Sequence, residues 1–522
     1  MSTSDPASAA AALVRDSGGP YVIYERDQRW TVASGARVEL RLDRDRIRLH
    51  TPTGDRDIAV GPDPLRQVAD LLAGLEIPGW SAYGWAAFEL AHLLRGDRDR
   101  AGPATLLHLL VPEEAVVIGS GSGAASGPDV APPVAWPAPG AELDVTLTGG
   151  ARYRDAVAAA VRDIRDDKLQ KVILSRIVPV AGGIDLLATY VAGRAGNTPA
   201  RSFVLELGGL AAAGFSPETV VEVAADGRVS TQPLAGTRML VGDPVIDVAR
   251  REELLADPKE IYEHAISVRL AQDELAGVCS AGSVRVDEFM TVQERGSVQH
   301  LASRVSGHLA AGYDAWDAFA ALFPSITASG IPKAAAYDLI ARYEEGPRGL
   351  YSGAVLALSA DGAFDAALVL RTVFVQDGRT WLRAGAGIVA PSTPEREWDE
   401  TCEKLRSLSR FLVRAAPAGG QAPVPSRERG SRERGSQGGR YAIDFTMEGL
   451  RHTAAGLTEG DPATIGVNTN LFELGLASIA LMQLVGSWRR AGVEVEFAEL
   501  SENPTLEGWA KLLRERRPAT TA

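Results

Sequence analysis

Residues 416–440 read APAGGQAPVPSRERGSRERGSQGGR. The stretch is built of Gly, Pro, Ser and charge, lacks any large aromatic, and contains a tandem SRERG. Such a composition predicts a linker rather than part of a core. If flexible, it spans on the order of 25–30 Å r.m.s.. It divides the chain unequally, into a large domain over 1–415 and a small one of single-core size over 441–517.

Composition narrows the function classes. The chain has 522 residues, 45% hydrophobic and 23% charged, enough to bury a large core. Its net charge of -13 disfavours nucleic acid or an anionic membrane surface as the main partner, because both need a basic face. An acidic protein that binds an anionic substrate needs local basic residues or a metal. Two cysteines, Cys279 and Cys402, exclude a disulfide scaffold and a Cys-rich zinc site, and fit a reducing cytoplasm. The first twenty residues carry no basic segment of the kind that opens a signal peptide. No apolar stretch approaches the roughly 20 residues of a membrane helix. A cytoplasmic protein is expected.

Within the large domain, strand-like runs (Lys171–Val180, Ser202–Leu207, Ala367–Val375) alternate with helical ones (Tyr153–Asp166, Lys259–Ala276, Glu395–Arg414). Asp226-Gly227, Asp361-Gly362 and Asp377-Gly378 suit hairpins. The fold class expected is α+β: large antiparallel or mixed sheets covered by helices, followed by a small all-α four-helix domain. The Gly- and Ser-rich segment Gly119–Gly140 is expected to be a surface loop. A phosphate loop needs a helix directly after it, and here a proline cluster follows.

Two helices share an acidic pattern: Glu260 and Glu263 on one, Glu397 and Glu400 on the other. Spacing of i, i+3 puts each pair on one face. If the faces converge, four carboxylates make a hard-oxygen site suited to Mg²⁺; otherwise they are two ordinary solvated faces. Other segments are individually ambiguous. Lys171 opens an apolar strand and could be a solvated strand end. Glu218 follows a turn, and Pro233–Arg238 reads as a glycine turn with a hydroxyl. Phe323–Lys333 is a turn-rich loop. Gly385–Gly387 would let backbone N–H groups approach an anion, or form a plain hairpin turn.

Taken in order, the motifs KVILSR, NTPxRSF, PLAGTR, KEIxEHAISVR, FMTVxERGSVQHL, FPxxTASGIPKAA, PRGLYSGAV and RTWLRAGAGI resemble the chorismate-utilising enzymes. That family includes anthranilate, aminodeoxychorismate, isochorismate and salicylate synthases. The resemblance runs from about residue 150 to 414 and is strongest to the salicylate synthases of siderophore pathways. It implies large sheets and helices around one deep site, with chorismate as substrate. It also implies roles. Lys171 matches the base of the water-activating members, where ammonia-using members have glutamine. Glu218 matches the acid that protonates the departing C4 hydroxyl. Ala235 replaces a nucleophilic lysine of aminodeoxychorismate synthases and leaves room for water. Glu263 and Glu400 match Mg²⁺ ligands, with Glu260 and Glu397 as nearby or water-mediated partners. Gly236, Thr237, His300, Thr327, Tyr351, Arg371, Gly385, Ala386, Gly387 and Lys404 match positions that hold substrate or product.

The chemistry fits these roles. Chorismate is a dianion that four carboxylates would repel, and one Mg²⁺ reverses the sign. Arg371 can grip a carboxylate bidentately. Glu218 must be protonated to act as an acid, and burial would raise its pKa. Burial likewise pushes a lysine towards the neutral form that a base needs. The implied reaction adds water at C2 as the C4 hydroxyl leaves, giving isochorismate. Pyruvate is then lost with intramolecular hydrogen transfer, which needs orientation above all. An isochorismate synthase, or a non-catalytic scaffold presenting a carrier, are the alternatives.

The small domain resembles aryl and peptidyl carriers through Asn470–Ile479, Trp488–Gly492, Phe497–Leu500 and Asn503–Leu506. Ile479, Met482, Val485 and Trp488 recur at near-helical spacing, so Ser478 begins an amphipathic helix. By residues alone Ser478 could be an N-cap. The resemblance implies that it carries 4'-phosphopantetheine, added by a phosphopantetheinyl transferase. Carriers usually have Asp before this serine; here it is Ala477. No adenylating domain is visible, so an aryl-adenylating enzyme and a nonribosomal peptide synthetase are expected to act in trans.

Overall fold

The computed structural model describes residues 5–119, 134–296, 298–415 and, within 446–516, all but 459–461, 463–464, 473, 475, 477–480, 482–483, 486–487, 489–492, 494 and 496. The linker at 416–440, most of the Gly119–Gly140 segment, and Ala477 and Ser478 therefore lie outside the described residues. Compact units split at Gly420.

The first unit is α+β. Its described strands form two antiparallel sheets, one of nine strands and one of twelve. Tyr24, Phe203, Leu205 and Phe374 from the first sheet pack with Trp85, Val355 and Ala367 from the second in one apolar cluster. The three Asp-Gly pairs all sit in hairpin turns, between Thr219–Val223 and Arg228–Thr231, Ala354–Ser359 and Phe364–Leu368, and Thr372–Gln376 and Arg379–Ile388. Gly227, Gly362 and Gly378 all have positive φ there, a conformation that costs glycine little.

Two crossings between the sheets matter most. Leu210–Ser216 belongs to the nine-stranded sheet and Thr219–Val223 to the twelve-stranded one, with Glu218 in the step between them. The chain returns between Phe364–Leu368 and Thr372–Gln376, and Arg371 lies in that step with φ +49°. The single strand expected over Ala367–Val375 is thus two strands in different sheets. Its sequence is continuously apolar up to Arg371, and the break comes from tertiary pairing. Leu368 N donates to Glu218 O (3.2 Å) and Phe215 N to Arg371 O (3.2 Å), so the crossings brace each other.

Helices cover these strands. Pro258–Ala276 starts at the N-cap Asp257, whose carboxylate accepts from Lys259 N and Glu260 N, with proline at the first helical position. It packs on the strands Leu234–Met239 and Val298–His308. Pro394–Ser409 is capped by Thr393 and packs on Arg379–Ile388. It ends five residues before the Arg414 expected from sequence, and Arg414 bridges to Ile184.

In the second unit the described helices are Met447–Thr458, Phe497–Glu502 and Leu506–Arg516. Leu450, Leu471, Leu481, Leu484, Trp488, Leu500 and Trp509 share one buried cluster, in which the Trp488 and Trp509 rings meet edge-on at 5.9 Å. Leu471 N donates to Pro504 O (2.8 Å) and Leu476 N to Leu471 O (2.9 Å), fixing the turn that precedes Ser478 in sequence.

Candidate active site

Both crossings, the helix Pro258–Ala276 and the strand Arg379–Ile388 open onto one cavity. Its lining includes Glu218, Ala235, Gly236, Thr237, Glu263, His300, Thr327, Tyr351, Arg371, Gly385, Gly387, Glu400 and Lys404. Lys171 lies just behind Glu263. Residues scattered over more than two hundred positions of sequence thus meet here. Ala386 does not line the cavity.

Glu218 is almost wholly buried. Leu234 N donates to its Oε2 (2.8 Å) and Thr327 Oγ1 donates to its Oε1. Burial pushes its pKa up to about 7, against the lowering effect of those two hydrogen bonds and of Lys171 and Lys404. The group therefore keeps its proton in a large share of molecules near neutral pH, where an ordinary glutamate has lost it, as an acid needs.

On the same wall, Arg371 makes no ion pair with any described carboxylate. Nη1 donates to Arg295 O (3.2 Å) and Nη2 donates to His300 Nε2. Burial, then Arg295, lowers its pKa to about 10, leaving it charged. His300 is held well below its ordinary range by burial and by Arg371. The neutral ring can donate through Nδ1 to Gly236 O (2.9 Å) and accept at Nε2 from Arg371. A half-buried guanidinium that lines a cavity and has no carboxylate within ion-pair distance is chemically able to receive one.

The opposite wall is charged throughout. Lys171, far from a solvated strand end, is fully buried. Its Nζ lies 3.0 Å from Glu263 Oε1 and donates to Ser267 Oγ at 3.0 Å. Glu260, Glu263, Glu397 and Glu400 are not solvated faces; all four converge on Lys259 Nζ, at 3.5, 3.0, 3.7 and 3.7 Å. Burial raises Glu263, but Lys171 and Lys259 overcome it and hold the carboxyl down to about 2. Glu400 is lowered against burial by Lys404 and Lys259. Burial pushes Glu397 up to about 8. Neither Glu397 oxygen nor Glu260 Oε2 has a hydrogen bond. Buried carboxylate oxygens left so are a hard donor set, which suits Mg²⁺. As they stand, no group of three described ligands is arranged to hold an ion.

The glycines act through absent side chains. Gly385–Gly387 is not a hairpin turn: it runs inside a strand, paired with Ile173–Ser175. A Cβ at Gly387 would lie 1.9 Å from Glu263 Oε1, and one at Gly385 2.7 Å from Leu174 O. Gly236 lies in a bulged strand rather than a free turn. Its φ of +66° and the 2.9 Å approach that a Cβ would make to Glu260 Oε2 both demand glycine. Lys404 Nζ donates to Gly385 O (3.0 Å) and Glu400 Oε1 (2.7 Å).

Three residues acquire roles that motif reading did not give them. Lys259 sits in KEIxEH and Ser267 in the same motif; Arg383 sits in RTWLRAGAGI. Arg383 lines the cavity, and its guanidinium lies 5.3 Å from the centre of the Tyr351 ring, anchored by Glu344 and Ser175. For Lys259, charge balance was the available signal, since four converging carboxylates need a cation.

Comparison with known proteins agrees with this architecture. Residues 19–410 match the family described as chorismate binding enzyme, and residues 448–513 match phosphopantetheine attachment site. A salicylate synthase of Mycolicibacterium paratuberculosis is 44% identical over 427 residues, covering 78% of this chain and 94% of that protein. Anthranilate synthase component 1 of Streptomyces coelicolor is 41% identical over 272 residues, covering 51% of this chain and 52% of that protein. Among solved structures, anthranilate synthase component I from Streptococcus pneumoniae superposes with a TM-score of 0.61 at 24% identity, covering 74% of this chain and 92% of that one. The menaquinone-specific isochorismate synthase from Escherichia coli gives 0.58 at 21%, covering 79% and 92%; these two show the shared fold. The chain belongs to the chorismate binding enzymes, as a salicylate synthase homologue with a phosphopantetheine attachment domain at its C-terminal end.

Proposed function

We propose that the large domain converts chorismate to isochorismate and then to salicylate and pyruvate. The observation that carries the reading is Glu218, a buried carboxyl that keeps its proton near neutral pH beside a guanidinium with no carboxylate partner. Glu218 donates its proton to the C4 hydroxyl, which leaves as water. Lys171, acting in its neutral form, takes a proton from the water that adds at C2, so one water enters and one leaves. Arg371, held by His300, receives a substrate carboxylate. Ala235 and Gly236 leave room at the ring. The second stage breaks the C–O bond to the pyruvyl group while hydrogen passes from C2 to its methylene carbon, and the cavity walls supply orientation. Glu263 and Glu400, with Glu260 and Glu397 behind them, would hold Mg²⁺, which would supply positive charge for a substrate carboxylate.

Incubating the purified chain with chorismate and Mg²⁺ tests this. Salicylate and pyruvate in equal amounts support it; isochorismate as the end product assigns only the first stage. No turnover at all would favour the scaffold reading.

For the small domain we infer that Ser478 receives 4'-phosphopantetheine from a transferase and carries an aryl group, activated by a separate adenylating enzyme, to a nonribosomal peptide synthetase. The support is the match over residues 448–513 and the fixed turn at Leu471–Leu476. Intact mass after incubation with coenzyme A and a phosphopantetheinyl transferase should rise in the wild type and stay unchanged in Ser478→Ala. No gain in the wild type, with gain in Ala477→Asp, would mean that Ala477 impairs recognition.

A further inference from the structure

Every oxygen of Glu263 and Glu400 faces a lysine nitrogen. Glu263 Oε1 is 3.0 Å from Lys171 Nζ, and Oε2 is 3.0 Å from Lys259 Nζ. Glu400 Oε1 is 2.7 Å from Lys404 Nζ, and Oε2 is 3.7 Å from Lys259 Nζ. Lys171 and Lys404 each touch one of the two acids. Lys259 alone bridges both, and it also approaches Glu260 Oε1 (3.5 Å) and Glu397 Oε1 (3.7 Å).

This ammonium does not behave as the partner of one residue. A dedicated ion pair closes to about 2.7–2.9 Å with directed hydrogen bonds. Lys259 Nζ instead stands at 3.0–3.7 Å from four carboxylates, makes no hydrogen bond of good geometry, and is 4% exposed. It occupies the place of a cation shared by the whole cluster.

A divalent ion held by Glu263 and Glu400 at about 2.0–2.1 Å would need the oxygens that Lys259 now faces. Two positive centres cannot share that point, since at a few Å in a buried site their repulsion is large. The lysine stem is flexible and Lys259 lies in the first turn of its helix, so rotation of the side chain is the route by which the ammonium would leave.

We propose that Lys259 is an internal counter-ion: it holds the four-glutamate cluster together when no divalent cation is bound, and it must withdraw for Mg²⁺ to bind. Metal and ammonium are then exclusive occupants of one position. The inference rests on the reading of Glu263 and Glu400 as metal ligands. Its consequence is that Mg²⁺ binds more weakly, and exchanges more readily, than the carboxylates alone would allow.

Calorimetric titration of the full chain with Mg²⁺ alone, without chorismate, tests this in the wild type and in Lys259→Met, which keeps an apolar stem and removes the charge. The variant should bind Mg²⁺ at least about tenfold more tightly. Its metal-free thermal midpoint should fall, and saturating Mg²⁺ should restore it. Equal or weaker Mg²⁺ binding by the variant would overturn the counter-ion role. No Mg²⁺ binding by the wild type would overturn the metal reading beneath it, and this inference with it. If the variant fails to fold without metal, a structure of the wild type with Mn²⁺ decides. Lys259 withdrawn from Glu263 and Glu400 supports the proposal; Lys259 still bridging them beside the ion refutes it.

Discussion

The two walls of the cavity hold their charges by different means. On the Glu218–Arg371 wall, directed hydrogen bonds fix each group: Leu234 N and Thr327 on Glu218, His300 and Arg295 O on Arg371. On the Glu263–Glu400 wall, ammonium groups and carboxylates balance one another at mixed distances, with several oxygens unbonded. The first wall is organised before substrate arrives. The second is held by ion pairs, among which Lys259 Nζ makes no directed hydrogen bond to any one carboxylate. Preorganised dipoles and donors need little rearrangement during reaction, whereas a counter-ion lattice can exchange its members.

The largest expected effect tests the organised wall. Glu218→Gln should cost about 10²–10⁴-fold in isochorismate formation, as loss of a general acid does. Stability should move the other way. The folded pKa of Glu218, about 7, lies above its ordinary 4.5. The folded state therefore holds the extra proton in that window, and stability is full below about 4.5 and declines as pH rises through about 7. The glutamine variant lacks this decline, so at pH 8 it should melt at or above the wild type while being inactive. Melting curves and turnover at pH 5 and 8 read both; an active Glu218→Gln enzyme would remove the acid from this wall.

Next in size is Arg371→Lys. Lysine keeps the charge but loses the planar fork. Chorismate KM should rise by about 10–100-fold, corresponding to the roughly 1.5–3 kcal/mol of a hydrogen bond to a charged group, with a smaller change in kcat. An unchanged KM would mean that Arg371 acts by charge alone and that the two walls work alike.

The exchangeable wall is tested by Gly387→Ala. The added Cβ would sit 1.9 Å from Glu263 Oε1, the end of a side chain, so the strand can survive while the carboxylate is displaced. Destabilisation of about 1–3 kcal/mol is expected from overpacking, with Mg²⁺ affinity reduced in calorimetry. Wild-type affinity in this variant would show that Glu263 has slack that the geometry denies.

How far the sequence could show this contrast depends on which forces set each wall. The acidic pairs, the Asp-Gly hairpins and the helices are local patterns; Lys171 and Glu263 lie inside the motifs, while Glu218 and Arg371 are assigned to the same site only by the family resemblance. The crossings that bring Glu218 and Arg371 together were illegible, because Ala367–Leu370 is as apolar as any strand and only pairing with different sheets breaks it. Gly385–Gly387 allows two readings in sequence, a hairpin turn or an approach of backbone N–H groups to an anion, since glycine's usual meaning is conformational freedom. Its use here is the space that a Cβ would take from Glu263. Lys259 was passed over because one lysine in a helix is unremarkable until four carboxylates surround it. Sequence thus identified the groups, while the balance between them is a product of tertiary packing.

The smallest expected effect separates hydrogen bonding from burial on the organised wall. Thr327→Val keeps the shape of the side chain and removes the hydroxyl that donates to Glu218 Oε1. That hydrogen bond favours the ionised carboxylate, and burial disfavours it. Without the hydroxyl, Leu234 N still donates to Oε2, so the carboxyl remains anchored and its pKa should rise further above about 7. The limb of the activity profile that falls as Glu218 ionises should therefore move to higher pH, by about half a unit to one unit for one hydrogen bond. Activity at pH 6, where the acid is already protonated, should change within about threefold. A limb that stays in place would mean that burial alone tunes Glu218, and one that moves to lower pH would reverse the assigned direction of the Thr327 hydrogen bond.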